Sequence, residues 1–310
     1  MKKLPVKLLV IFVLLSGCTA TIPNDRDMQN NSSNVVSEFP EKFNTEPVIV
    51  MPDNPSLVEK IAGKQSSAII SANTDASPLL ITNSELTDTH RDKALVIINQ
   101  SASSVFNANL TDGDVNTDAS TLGDRKGNVV ITENPQNTSQ PLMVVTGSDV
   151  FGLWASTTAI DQTDTEKASI TTAYDAVSQE EVEQLESIDS IGGQLLLQVN
   201  AKHRYVTTGN TTMGGYIEDL HPSELLFQQA FVYTTSQFNE SEIRTFRTRG
   251  IDISQDDWIS RGDGGSYTVA IPISEINQFA QNKRVTRVES RENIFTTAQG
   301  VEPVKPTSQQ

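Results

Sequence analysis

Leu225-Leu226-Phe227-Gln228-Gln229-Ala230-Phe231-Val232-Tyr233 begins the most regularly patterned part of the chain. Rich in aromatic and aliphatic residues, it reads as a strand. The period then changes. Asn239 is a suitable N-cap with Glu242 three residues on, Ile243 and Phe246 share one helical face, and Gly250 stops the helix. Ile251 to Trp258 reads as a second strand and Arg261-Gly262-Asp263-Gly264-Gly265 as a turn, after which Tyr267, Val269 and Ile271 alternate along a third strand. Ser274 is placed to cap a second helix whose Ile276, Phe279 and Ala280 lie at i, i+3 and i+4, and Val285 to Glu289 supplies a fourth strand.

The order βαββαβ is that of a ferredoxin-like domain, expected over residues 194–297 with Gln194 to Val199 as a leading strand and a disordered tail over 298–310. Within it, Val269-Ala270-Ile271-Pro272 leading into Ile276 and Phe279, then Val285-x-x-Val288-Glu289, resembles the second half of the propeptide-type inhibitor domain of subtilisin-like proteases. That resemblance covers residues 225–289. It implies a sheet face that docks on a protease, and a segment after the last strand, here Ser290 to Thr297, that enters the substrate cleft, with Ser290, Arg291, Glu292, Asn293, Ile294 and Phe295 as the candidate partner-binding residues. Precursors of that kind continue into a protease domain. None follows before Gln310, so the likeness implies a stand-alone module.

Upstream, residues 161–193 read as a helical junction. Ser178 with Glu181 three residues on forms a capping-box pattern, and the acidic first turn suits the helix dipole. Residues 56–160 show short apolar runs between polar turns, among them Ala68-Ile69-Ile70, Ala94-Leu95-Val96-Ile97-Ile98, Val129-Val130-Ile131, Leu142-Met143-Val144-Val145 and Val150-Phe151-Gly152-Leu153-Trp154. These argue an N-terminal all-β domain, either a sandwich or a short β-solenoid. The fold class expected for the whole is therefore α+β.

The loop from Asp112 to Asp118 puts oxygen side chains on alternate residues, Asp112, Asp114, Asn116 and Asp118, as in the first half of a Ca²⁺ loop. Thr117 stands where the turn needs Gly, and Gly123 where the bidentate Glu belongs. The loop reads as a solvated turn; the alternative is a Ca²⁺ site of millimolar class.

At the other end, Lys2, Lys3 and Lys7 precede the apolar run Leu8 to Leu15, which is too short to span a bilayer. Leu15-Ser16-Gly17-Cys18 resembles the lipobox of bacterial lipoproteins. The resemblance implies a signal peptide over 1–17, a diacylglycerol on the Cys18 thiol and an acyl chain on the new amino terminus. Thr rather than Asp at position 19 points, by the same resemblance, to the outer membrane. Residues 18–55, rich in Asn, Ser, Asp and Pro, read as a disordered tether; about 35 such residues reach on the order of 30 Å. Within them Val48-Ile49-Val50-Met51 reads as a first strand or a docking segment.

Composition narrows the function. The formal charge is −16, and removing three signal lysines leaves 20 basic against 39 acidic residues, a net of −19 that repels phosphate and argues against a nucleic-acid partner. The single cysteine is assigned to lipid, leaving no disulfide and no thiolate nucleophile. No Gly-x-Ser-x-Gly elbow or P-loop occurs, and His90, His203 and His221 stand far apart. The expectation is a non-enzymatic, lipid-anchored envelope protein presenting a protein-interaction module. The alternatives are a stand-alone inhibitor or chaperone of a subtilisin-like protease, and a β-rich adhesin-like surface protein.

Overall fold

The computed structural model describes residues 41–99, 122–160, 169–210 and 213–292, all within one compact unit. The fold is mixed α/β, with two sheets and, among the described residues, eight α-helices. Strands β1 (Val48–Met51), β2 (Leu79–Thr82), β3 (Leu95–Asn99), β4 (Lys126–Asn134), β5 (Asn137–Gly147) and β6 (Ser169–Ala173) form the first sheet in the order β2-β1-β3-β5-β4-β6. The first four in that order run parallel, and β4 is antiparallel to both its neighbours.

The expectation of an all-β sandwich or solenoid over 56–160 is overturned. Ala68-Ile69-Ile70 lies inside α1 (Leu57–Asn73), a 17-residue helix opened by a Ser56–Glu59 capping box. A four-residue helix α2 (Asp88–Arg91) precedes β3, and Val150 to Trp154 belongs to α3 (Val150–Thr158), capped by Asp149 through Gly152 N–H at 2.8 Å. The physical reason is burial on more than one side. All of α3 but Thr158 is buried, so its apolar run carries no helical period, and a short apolar run of that kind does not distinguish strand from buried helix. The strands are equally featureless, because parallel strands buried on both faces read as continuous apolar runs. Ile49 joins the core cluster under α1 and Val48 and Val50 a smaller cluster on the opposite face of the same sheet, so β1, in the stretch assigned to the tether, is a buried inner strand.

Helix α3 lies almost in contact with the sheet backbone. A Cβ on Gly152 would sit 2.1 Å from Lys126 O, and one on Gly127 2.0 Å from Gly152 O, distances that no side chain tolerates. Glycine at both positions is what lets helix and strand approach so closely.

A helical region follows, with α4 (Gln179–Gln184), α5 (Gly193–Thr208) and α6 (Gly214–Glu218). The Ser178–Glu181 capping box expected at α4 is present. Gln194 to Val199, expected as a strand, is the start of α5: Leu195, Val199, Lys202 and Val206 fall at helical spacing and all are buried.

The second sheet comprises β7 (Phe227–Thr234), β8 (Ile259–Arg261), β9 (Gly264–Pro272) and β10 (Val285–Ser290), fully antiparallel in the order β10-β7-β9-β8. With α7 (Glu240–Thr248) after β7 and α8 (Ile276–Ala280) after β9, the chain order is the βαββαβ read from the sequence. The Asn239–Glu242 capping box is present and Gly250, at φ +76, follows α7. Two details differ. In Ile251 to Trp258 only Asp252 makes a bridge, to Ala270, before a 3-10 turn, and the second strand is the three residues of β8. Glu275 rather than Ser274 is the N-cap of α8.

Phe238, Phe246, Phe279 and Tyr267 form an aromatic cluster on one face of this sheet, with ring centroids 4.9 to 6.3 Å apart. The two cores are joined. Trp154 of α3 meets Phe227 edge-on at 4.9 Å, α5 places Leu195 and Val199 in the second core and Ala201 and Val206 in the first, and Gln65 Nε2 donates to Thr248 O at 3.0 Å. Gly250 also belongs to this seam, where a Cβ would lie 2.3 Å from Trp154.

Candidate functional site

Cys18, the loop residues Asp112, Asp114, Asn116 and Asp118, and Asn293, Ile294 and Phe295 lie outside the described residues. The remaining candidates, Ser290, Arg291 and Glu292, are held against the chain itself. Arg291 N–H donates to Gln229 O at 3.1 Å and its guanidinium to Gln229 Oε1 at 3.3 Å. Gln194 and Gln198 of α5 donate their amides to Glu292 O at 2.5 and 3.1 Å, and Ser290 Oγ donates to Gln198 Oε1, which also accepts from Gln228 Nε2 at 2.8 Å. The Glu292 carboxylate accepts from Tyr216 of α6.

Beneath this fastening lies Lys202, fully buried on α5. Its ammonium donates to Phe227 O at 2.8 Å and stands 5.9 Å from the centre of the Tyr216 ring. Burial pushes the Lys202 ammonium down to about 8, with Glu292 and Glu224 pulling the other way. Burial and the hydrogen bond to Glu292 raise the Tyr216 hydroxyl above its ordinary value. The cation, the phenol and the carboxylate each have a partner within the protein, and the arrangement secures β10 and its C-terminal continuation to α5. Sequence reading missed Lys202 and Tyr216. The signal was present in the spacing Leu195, Val199, Lys202, Val206, which becomes visible once the stretch is read as a helix.

A second feature is the open face of the four-stranded sheet. Phe227, Phe231 and Tyr233 share one face of β7. Phe227 is covered by Trp154, whereas Phe231 is 37% exposed. Phe231 lies opposite Thr268 and Glu289, and Tyr233 opposite Ser266 and Arg287. Ile259 of β8, also opposite Ser266, is 57% exposed, so the face carries separated apolar side chains with Arg287 and Glu289 beside them. The other face is filled by α7 and α8 through Ile243, Phe246, Ile276 and Phe279.

The three histidines serve local structure. His203 Nε2 is 2.7 Å from Val177 O, His221 caps a 3-10 turn through Ser223, and His90 Nδ1 accepts from Thr87 N–H at 3.3 Å. Among the described residues no group of three His, Cys, Asp or Glu is placed to hold a metal ion, and no helix is long and apolar enough to cross a membrane. The chain matches no known protein family and no curated protein.

Proposed function

We propose that this chain is a non-enzymatic, lipid-anchored protein of the bacterial outer membrane that presents the open face of its ferredoxin-like half to a protein partner. The observation that carries the reading is the asymmetry of that sheet: one face is filled by two helices, the other leaves Phe231 and Ile259 in solvent beside Arg287. Single apolar side chains are ordinary on a surface; two on the open face of one sheet, with charged neighbours, suit a contact patch of aromatic and aliphatic anchors with a polar rim. Lipid at Cys18 would keep the module at the membrane, because two or more acyl chains hold a protein durably.

Two experiments test the proposal. Cys18→Ser should abolish lipid labelling and move the protein to the soluble fraction; retention in washed membranes would reject the anchor. A photo-crosslinker at position 231 should give a discrete adduct in intact cells that Ile259→Asp removes, while one on the outer side of α4 at Glu183 gives none. Equal labelling from both positions would reject the face.

A second reading, inhibition of a subtilisin-like protease, is favoured by the strand order β10-β7-β9-β8 together with the open face. In this reading the sheet face supplies the binding energy, since Ser290 to Glu292 are engaged with α5 and β7. The full chain should slow such a protease at micromolar concentration and Phe231→Asp should relieve it; no inhibition retires this reading and leaves the interaction module.

A further inference from the structure

Strand β6 ends the six-stranded sheet, and among the described residues it pairs with β4 alone. Tyr174 N–H donates to Arg125 O at 2.8 Å, so by the alternation of an antiparallel ladder Thr172 also faces β4. Thr171 and Ala173 then direct their N–H and C=O outward, and both are exposed. The strand, Ser169-Ile170-Thr171-Thr172-Ala173, carries none of the charges or prolines that commonly blunt an edge.

Two cavities continue from this edge. One, of about 330 Å³, is bounded by Thr172 and Ala173 of β6, by Ala155 of α3 and by Ala159 just after that helix. The other, of about 390 Å³, is lined by Val182 and Leu185, by Asn277 and Gln278 of α8 and by Gln281, the residue that caps it. Val177, Ile273 and Ser274 line both, so the two form one channel with an apolar floor and an amide wall. Residues 169–201 hold six carboxylates and no Lys or Arg, and Asp175 and Glu181 of that run line the channel.

A larger cavity of about 540 Å³, near β2 at the opposite edge, is lined by Lys64, Arg244 and Arg247. Those cations already have partners inside the chain: Lys64 in Asp252, Arg244 in Glu240, and Arg247 in Ile253 O. It therefore points to no ligand.

We propose that the channel along β6 and α8 docks an extended segment of a partner protein bearing lysine or arginine, which adds to β6 as a further strand. Backbone pairing would supply attachment, the amides would serve main-chain groups beyond the strand, and the carboxylates would select positive side chains. The channel shares no residue with the open sheet face, so the two readings fail separately.

The test uses the full chain and a fluorescein-labelled decapeptide alternating lysine with threonine and valine, followed by anisotropy. Saturable binding is expected, weakened at least about tenfold by Ala173→Pro, by Gln278→Lys and by glutamate in place of the peptide's lysines, and unchanged by Phe231→Asp. Gln278 is exposed on α8, so its replacement tests the channel without disturbing the fold. No saturable binding overturns the proposal. So does binding indifferent to Gln278→Lys and Ala173→Pro, which would be general attraction to an acidic protein, and so does equal competition by spermine, which has no backbone to pair.

Discussion

The six-stranded and four-stranded sheets are stabilised by different means. The first buries apolar strands on both faces and brings α3 down to backbone contact through Gly127 and Gly152. The second is covered on one side by helices over an aromatic cluster, and its other face is partly open. Close backbone packing tolerates no added atom, whereas a side-chain core loses stability in proportion to what is removed. The first region is therefore vulnerable to any added atom, the second to lost side-chain volume, and the second sheet leaves a face partly open for binding.

Gly152→Ala should break the first sheet outright. The new methyl would meet Lys126 O, a backbone atom that cannot rotate away, and a cost above about 4 kcal/mol removes most of the stability of a chain at the lower end of the ordinary range of about 5–15 kcal/mol. Gly193→Ala, with nothing within 4 Å, should be neutral or slightly stabilising in the same thermal unfolding measurement. Comparable losses from both would mean the close approach is not what matters.

Phe279→Ala should cost about 3–5 kcal/mol by emptying a site in the second core, and Met143→Ala about 2–5 kcal/mol in the first. Because α5 and Trp154 belong to the seam between the cores, each variant should shift a single unfolding transition for the whole chain. Two separate transitions in calorimetry would show that the sheets unfold independently and that residues 194–310 suffice for a domain.

The seam also carries a pH signature. Lys202 falls from the ordinary 10.5 to about 8. Between those values the unfolded chain binds a proton that the folded chain does not, so this side chain's contribution to stability rises as pH climbs through that window and is flat below it. Wild type should gain about 2 kcal/mol relative to Lys202→Met between pH 7.5 and 9.5 in urea unfolding. A constant difference would mean that the ammonium reaches water.

The smallest effect belongs to Lys64–Asp252, at 2.6 Å between α1 and the segment after α7. Both side chains are partly exposed, so Lys64→Met should cost less than about 1 kcal/mol and the cost should shrink with salt. A larger, salt-insensitive loss would make this contact a main tie between the halves.

How much of this could be read in advance depended on whether one face of an element stays wet. In the second sheet, the alternation of Tyr267, Val269 and Ile271, the Asn239–Glu242 cap and the position of Gly250 were legible from residue order, because exposed positions interrupt the apolar ones and mark the period. Ala68-Ile69-Ile70 in α1 and Val150 to Trp154 in α3 were not, since burial on several sides removes the polar positions that reveal a helix. The candidate segment Ser290 to Glu292 was legible only as the residues after a strand; its attachment to Gln194, Gln198 and Tyr216 joins groups up to 98 positions apart, which no local pattern encodes. The acidic charge, the capping boxes and the βαββαβ order follow from residue order alone, because each is a property of composition or of neighbouring residues. The tertiary structure alone decided that β1 to β3 and β5 run parallel, that Lys202 is buried and that β6 borders a channel, because each depends on contacts between residues distant in the chain.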